Sequence, residues 1–486
     1  MILSIDMGTT TAKAAVFIAS GACIDLVSCQ YDSVDFYQDS IEIAPMQWAK
    51  ALLSLTSRIP GKASIRAVVV SGNGPTVSPV FGDPIYEDSL LYAASGNARL
   101  WLDRRAVDES EQISRVVDAF VDSSFVLPKI LYLYKNDRRL YDKTKWFLSS
   151  YEYVNYLLTG EAKAVLHAPD ALRWYWDEHM LEQLGLDSKK FPTFCFPGDI
   201  VGTVTAQASR ALDIPFGIPV FAGGPDFLVS IIGCAAVEPS QVCNRTGTSE
   251  GVNLCSKVPF DDDRLMTYLH PIKPYYNISG IISTSGKAIE WVKKLLGFNT
   301  MAYSDIYALM ARSAPGANNL IFLPYLCGER APIWDPYAKG VFNGLSLETQ
   351  PEHLLRSVAE GICFAIRDVL EVMEESSGAI GDIRITGRLA ENPFMNQLKA
   401  DITGHRVLVP EIRDAELVGS MIIAMKALKE FDSLDEAASS LVKIETYLDP
   451  NEHLKAMYDD LFVEYHATYE NLKASWRASS CMPGIS

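Results

Sequence analysis

No stretch of this sequence is long and apolar enough to span a bilayer, so an integral helical membrane protein is not expected. A secretory leader is not expected either. Met1 runs directly into the apolar Ile2–Ile5 and then Asp6, with neither a basic segment nor a long apolar one. The nine cysteines are odd in number and scattered, only Cys23 and Cys29 lying close together, which argues against a disulfide framework and a zinc site. Reduced thiols in the cytoplasm follow as the expectation. The seven histidines are dispersed without ligand spacing and receive no catalytic role. Positive charge is also short: 43 Lys and Arg against 60 Asp and Glu give a formal net charge of −17. That balance excludes a general nucleic-acid or anionic-membrane surface, which needs clustered Lys and Arg. A polyphosphate could be held only locally, by backbone N–H groups, hydroxyls and a metal ion acting against acidic surroundings.

What the chain does have is length and ordinary globular composition, 486 residues with 48% hydrophobic and 21% charged. That is too long for one core, so two domains with a cleft between them are expected.

The opening residues read as a β-hairpin. The apolar runs Ile2–Ile5 and Ala14–Ile18 are of strand length and are joined by Asp6-Met7-Gly8-Thr9-Thr10-Thr11-Ala12-Lys13. Glycine permits the tight backbone, threonines and exposed amides suit phosphate oxygens, and Asp6 at the strand end suits Mg²⁺. A surface turn rich in threonine has the same signature. The pattern recurs at mid-chain, where Gln241–Leu254 reads strand, glycine-hydroxyl turn, strand around Gly247-Thr248-Ser249. Two related domains, each presenting a phosphate-facing hairpin to a shared cleft, is the simplest architecture with this property.

Between the hairpins lies Pro219-Val220-Phe221-Ala222-Gly223-Gly224-Pro225-Asp226-Phe227, a buried strand that delivers one carboxylate at its end, followed by the apolar, helical stretch Leu228–Ala236. A carboxylate so placed sits rigidly at the floor of a site. Asp226 as a helix cap is the alternative use. Capping alone leaves the two glycines unexplained.

Together with Phe322–Pro332 and Ala415-Glu416-Leu417-Val418-Gly419-Ser420, these motifs resemble the FGGY carbohydrate kinases, in order and from Met1 to about Leu472. The resemblance implies an α/β protein of two ribonuclease H-like domains, of the actin/hexokinase ATPase type with a central cleft, at about residues 1–238 and 239–486. It implies ATP and Mg²⁺, with Asp6 as the metal-associated acid and Asp226 as catalytic base, also near the metal. Thr9, Thr10, Thr11 and Lys13 would form the first phosphate hairpin, and Gly247 and Thr248 the second. Gly286, in Ser285–Trp291, matches a nucleotide-contacting glycine, and Gly387 and Asn392 fall in the adenosine motif. On the sugar side stand Asn73, Gly74 and the Trp101-x-Asp103-x-Arg105 segment. A buried tryptophan and a salt-bridged Asp-Arg pair is the structural reading of that last segment.

The sequence departs from the family in three places. The adenosine loop reads Thr386-Gly387-Arg388-Leu389-Ala390 in place of a glycine run, and Arg388 either stacks on adenine or projects to solvent. Phe227 follows the base where many sugar kinases place a polar residue. Glu250, directly after the second hairpin, is a local oddity. Elsewhere Thr349-Gln350-Pro351-Glu352 reads as a capping box opening a helix with an apolar stripe from Leu354 to Met373, stopped by Gly378. Leu417–Leu428 reads as a second buried helix, entered by the small Gly419 and Ser420. The tail from Ala474 to Ser486 reads as loose.

The expected protein is thus a cytoplasmic, Mg²⁺-dependent kinase transferring the γ-phosphoryl of ATP to a hydroxyl of a small sugar or polyol, a D-xylulose-like ketopentose first. It has no nucleic-acid or membrane partner, and a homodimer is compatible with the chain. A regulatory ATP-binding member of the same fold without sugar turnover is the alternative. Retention of both Asp6 and Asp226 favours the enzyme.

Overall fold

The computed structural model describes residues 1–37, 39–168, 171 and 175–480. The chain divides into two compact units, Met1–Gly233 with Glu416–Leu441, and Cys234–Ala415 with Val442–Ser486. The first unit therefore takes in a segment from late in the chain, which a single division in sequence order does not contain.

The first unit is built on a six-stranded sheet of β1 (Ile2–Met7), β2 (Thr11–Phe17), β3 (Cys23–Gln30), β4 (Ala67–Gly72), β5 (Ile200–Thr203) and β6 (Pro219–Pro225), in the order β5-β6-β4-β1-β2-β3. β1 to β3 form an antiparallel meander, β1, β4 and β6 run parallel, and β5 returns antiparallel. β1 and β4 are buried along their whole length, as strands covered on both faces must be. The second unit carries β7 (Val242–Thr246), β8 (Glu250–Ser256), β9 (Met266–Leu269), β10 (Tyr276–Ile282), β11 (Asp382–Gly387), β12 (Arg406–Pro410) and β13 (Ile444–Leu448), in the order β9-β10-β8-β7-β11-β12-β13. Here β10, β8 and β7 form the meander, β7, β11 and β12 run parallel, and β13 returns antiparallel. Apart from the extra edge strand β9, the second sheet thus repeats the topology of the first, and the two Gly-Thr turns occupy the same place in it, between the first and second strands of the meander. This is the two-domain, actin/hexokinase-like arrangement.

Helices cover the sheets. In the first unit we name α1 (Asp226–Gly233), and in the second α2 (Gly286–Leu295), α3 (Pro351–Ser377) and α4 (Pro393–Thr403). Next comes α5 (Ala415–Ala427), which from Glu416 onward belongs to the first unit. The last is α6 (Lys455–Ser480). In α3 the residues Leu355, Val358, Ile362, Ile366, Val369 and Met373 are fully buried in the second core, a helical stripe as the spacing requires. Pro351 opens this helix and Gly378 ends it in the left-handed region. The capping register differs by one from the sequence reading. The Gln350 amide donates to His353 Nδ1 at 3.1 Å, while the Thr349 hydroxyl accepts from Ser346 N. Within the first unit a Cβ on Gly419 of α5 would overlap the carbonyl oxygen of Val229 in α1, so the small residue is what lets these helices touch. The tail is a second correction: residues 474–480 continue α6, and 481–486 lie outside the described residues.

The Phe322–Pro332 motif contributes a buried acid to the second unit. Glu329 Oε1 accepts from Ser283 N and Arg330 N, both at 2.7 Å, and burial pushes its carboxyl up to about 7. A folded-state value raised from 4.5 means that the folded chain keeps a proton the unfolded chain has lost. Its stabilisation is complete below pH 4.5 and disappears as pH rises through 7. Glu329→Gln, which stays neutral, should therefore gain on the wild type across that interval by up to about 3 kcal/mol. Urea midpoints measured against pH for both proteins check this; parallel profiles would refute it.

Candidate active site

In the first unit three acids converge on the end of the sheet. β1 carries Asp6 as its penultimate residue, 3% exposed, whose Oδ1 accepts from Ser71 Oγ at 2.9 Å. β6 delivers Asp226, 8% exposed, as the first residue of α1. Its two preceding glycines have separate causes: a Cβ on Gly223 would overlap the carbonyl of Val70, and Gly224 has φ +134°, a conformation that side chains disfavour. The register of β6 against β4 shifts between Ala222 and Gly224. The third acid is Glu416, in the first turn of α5, which accepts from Lys13 Nζ at 3.1 Å. Burial, then the charges of Glu416 and Asp226, hold the Asp6 carboxyl well above the carboxylate range; Lys13 and Ser71 only partly oppose this. The cluster carries more negative charge than its own cation neutralises, and an added cation would relieve it.

The first hairpin closes as expected, with Asp6 opposite Lys13 across β1 and β2. Thr9 Oγ1 accepts from Trp101 Nε1 at 2.9 Å, Thr10 is exposed, and Thr11 is half-buried. The sugar-side residues are placed beside it but are occupied differently. Asn73 Nδ2 donates to the carbonyls of Met7 and Gly8 at 2.7 and 3.0 Å, and its oxygen accepts from Thr76 Oγ1. Asp103 receives Arg105 on both oxygens and Ile41 N on one. Asn73 therefore clamps the hairpin, and Asp103 forms the salt-bridged pair. Gly74 and Trp101 lie partly open on the same segments, and Phe227 is half-buried directly after Asp226.

Sequence reasoning left three contributors in this unit without a role. Glu416 and Ser71 act on Asp6. Lys129 is buried, donates to the carbonyls of Pro75 and Leu100 at 2.9 and 2.7 Å, and is pushed down to about 7 by that burial. It ties the loop after Gly74 to the residue before Trp101. Glu416 stands inside a motif that the sequence displays, but a lysine in an apolar helix carries no such signal.

In the second unit the hairpin of β7 and β8 turns at Gly247-Thr248-Ser249, with Thr248 exposed. The start of α2 is pinned to it: Gly286 N donates to Gly247 O and Ser285 N to Thr248 O, both at 3.0 Å. A Cβ on Gly286 would lie 2.6 Å from Gly247 O, which explains that glycine by close approach. Gly387 ends β11 with φ +85° and abuts Thr246, whose Oγ1 in turn accepts from Leu389 N. Asn392 caps α4 by accepting from Met395 N at 3.1 Å. Arg388 is exposed on the short helix Arg388–Glu391, and its charge reaches Tyr307.

Residues 1–233 match the N-terminal domain, and residues 242–428 the C-terminal domain, described as the FGGY family of carbohydrate kinases. The chain belongs to the FGGY family of carbohydrate kinases. A xylulose kinase of Staphylococcus epidermidis is 25% identical over 492 residues, covering 97% of each chain. Two crystal structures from Lactobacillus acidophilus share the fold at 24% identity, a ligand-bound xylulose kinase with TM-score 0.82 and a gluconate kinase with TM-score 0.83. Each match covers 98% of this chain and 99% of the other. This FGGY kinase is accordingly a sugar phosphotransferase that uses ATP. No helix among its described residues is long and apolar enough to cross a membrane.

Arg388 is where the kinase departs from its family's glycine run, and its exposure gives a direct test. If the guanidinium stacks on adenine, Arg388→Ala should weaken ATP by about 0.5–2 kcal/mol, read as a raised KM for ATP. An unchanged KM would leave Arg388 as a solvent-facing residue.

Proposed function

We propose that this kinase phosphorylates a hydroxyl of a ketopentose of the D-xylulose type, with Asp226 as the general base. The observation that carries the reading is Asp226 itself, fixed at the end of a buried strand by one glycine that has no room for a Cβ and a second whose φ disfavours any side chain, within interaction range of Asp6. In the first unit, Asp226 takes the proton of the attacking hydroxyl as the oxygen–phosphorus bond forms. Lys13 and the amides and hydroxyls of Thr9–Thr11 orient phosphate oxygens. Asn73 holds that hairpin, while Gly74, Trp101 and Asp103 face the sugar side, with Asp103 held by Arg105. In the second unit, Gly247 and Thr248 bind phosphate, Gly286 brings α2 to that turn, and Gly387, Arg388 and Asn392 frame adenosine.

Mg²⁺ fits the donor set in the first unit. Among the described residues no group of three or more His, Cys, Asp or Glu forms a metal cage, and Mg²⁺ characteristically takes one or two carboxylates, completing its shell with phosphate and water. Asp6 and Asp226 would hold it, and its chemistry there is neutralisation of phosphate charge. No disulfide joins the described cysteines, and reduced thiols agree with a cytoplasmic location; a homodimer is the proposed assembly.

The test is ADP release coupled to a visible readout across pentuloses, hexuloses, aldonates and polyols. The highest kcat/KM should fall to D-xylulose. A preference for an aldonate or glycerol would overturn the substrate, and ATP binding without ADP release on any acceptor would favour the regulatory alternative.

A further inference from the structure

Glu250 opens β8 directly after the second hairpin, opposite Thr246. It has no exposed surface, yet it is an acid facing a base: its Oε1 pairs with Lys399 Nζ of α4, itself 2% exposed. Its other oxygen accepts from Ser285 Oγ at 2.6 Å, and Lys399 Nζ also donates to Asn244 Oδ1 of β7 at 2.7 Å. Ser285 is the residue whose amide, with that of Gly286, is bonded to the turn carbonyls of Thr248 and Gly247. α4 is the helix capped by Asn392, and its Asn396 Nδ2 donates back to Ala390 O at 2.9 Å, inside the adenosine segment. A single buried carboxylate, directly after the phosphate turn in the chain, thus binds the residue before α2 and the helix that follows the adenosine segment.

A buried ion pair is a poor source of stability, because desolvation offsets most of its attraction and apolar residues of similar volume often serve as well. Its value lies in fixing geometry. We infer that Glu250 and Lys399 are positioning residues for ATP, setting the phosphate-binding turn in register with the adenosine segment. The inference rests on the assignment of this turn and segment to the nucleotide.

The double variant Glu250→Gln/Lys399→Met removes both charges, so no buried ion is left unpaired, and the fold should survive. KM for ATP should rise about tenfold, with KM for the sugar moving by less than about twofold. A purely structural role would reduce the amount of active enzyme and shift neither KM, so a wild-type KM for ATP in the double variant overturns the inference. Should that protein fail to fold, Ser285→Ala decides instead, since it deletes only a hydroxyl. A several-fold rise in KM for ATP supports positioning, and no change refutes it. Thr248→Val is the control for the underlying assignment. If it changes neither KM for ATP nor kcat, the assignment of the turn fails; if it raises that KM while the double variant does not, only the positioning inference fails.

Discussion

Asp226→Asn should lower kcat by at least about a hundredfold while the protein stays folded and KM for ATP holds near its wild-type value. A sugar hydroxyl is a weak nucleophile at neutral pH, and a carboxylate within hydrogen-bonding reach contributes typically about 10² to 10⁴ in rate by accepting its proton. Asparagine preserves the size of the side chain and its packing against β6 and α1 but removes the basicity. The position offers a second use for the acid, because Asp226 is the first residue of α1, where a negative charge is favourable. That use predicts the opposite result: Asn and Asp cap helices about equally well, so a helix-terminal role would survive the exchange. The backbone supports the catalytic role. Gly223 is required by contact with Val70 and Gly224 by its φ of +134°, and a mere helix start needs neither. Near-normal sugar phosphorylation by the Asn variant would remove Asp226 from the chemistry, and circular dichroism of the same sample separates lost activity from lost fold.

Much of this architecture was legible because its signals are local. Both hairpins follow from apolar runs flanking a Gly-Thr turn, and the long helix of the second unit follows from Pro351, Gly378 and a stripe of apolar residues between them. Asp226 stands out because Gly-Gly-Pro, closing a strand, directly precedes it. The features that escaped are those made by residues far apart in the chain. Asn73 has its amide consumed by the carbonyls of Met7 and Gly8, so a residue placed on the sugar side by resemblance serves first as a clamp on the phosphate hairpin. Glu416 reaches Lys13 across 403 positions, and no periodicity announces that the late segment Glu416–Leu441 joins the first unit. Glu250, an oddity when read beside its neighbours, is accounted for by Lys399, 149 positions later. The misplaced cap is a failure of another kind. Thr349 has the right chemistry, but its hydroxyl is taken by Ser346 N, and a competing local turn moved the helix start by one residue.

The second large effect is expected at Gly387. This residue ends β11 and hands the chain to the adenosine segment with φ +85° and ψ −175°, a region that is essentially reserved for glycine and costs other residues about 1–3 kcal/mol. The position also has no room, since a Cβ there would overlap the backbone oxygen of Thr246 and come within 3.0 Å of its Oγ1. The strand partner cannot retreat easily, because Thr246 pairs with Gly387 in the parallel ladder and its hydroxyl already bonds Thr386 O and Leu389 N. Gly387→Ala must therefore displace either the end of β7, next to the Gly247-Thr248 turn, or the Arg388–Glu391 segment itself. Both outcomes reach the nucleotide, and we expect KM for ATP to rise at least about tenfold together with a lowered melting temperature. KM for the sugar, read at saturating ATP, should change little. Alanine at 387 with wild-type KM for ATP would mean that the segment adapts without consequence, and the adenosine assignment of Gly387 and Arg388 would fall with it.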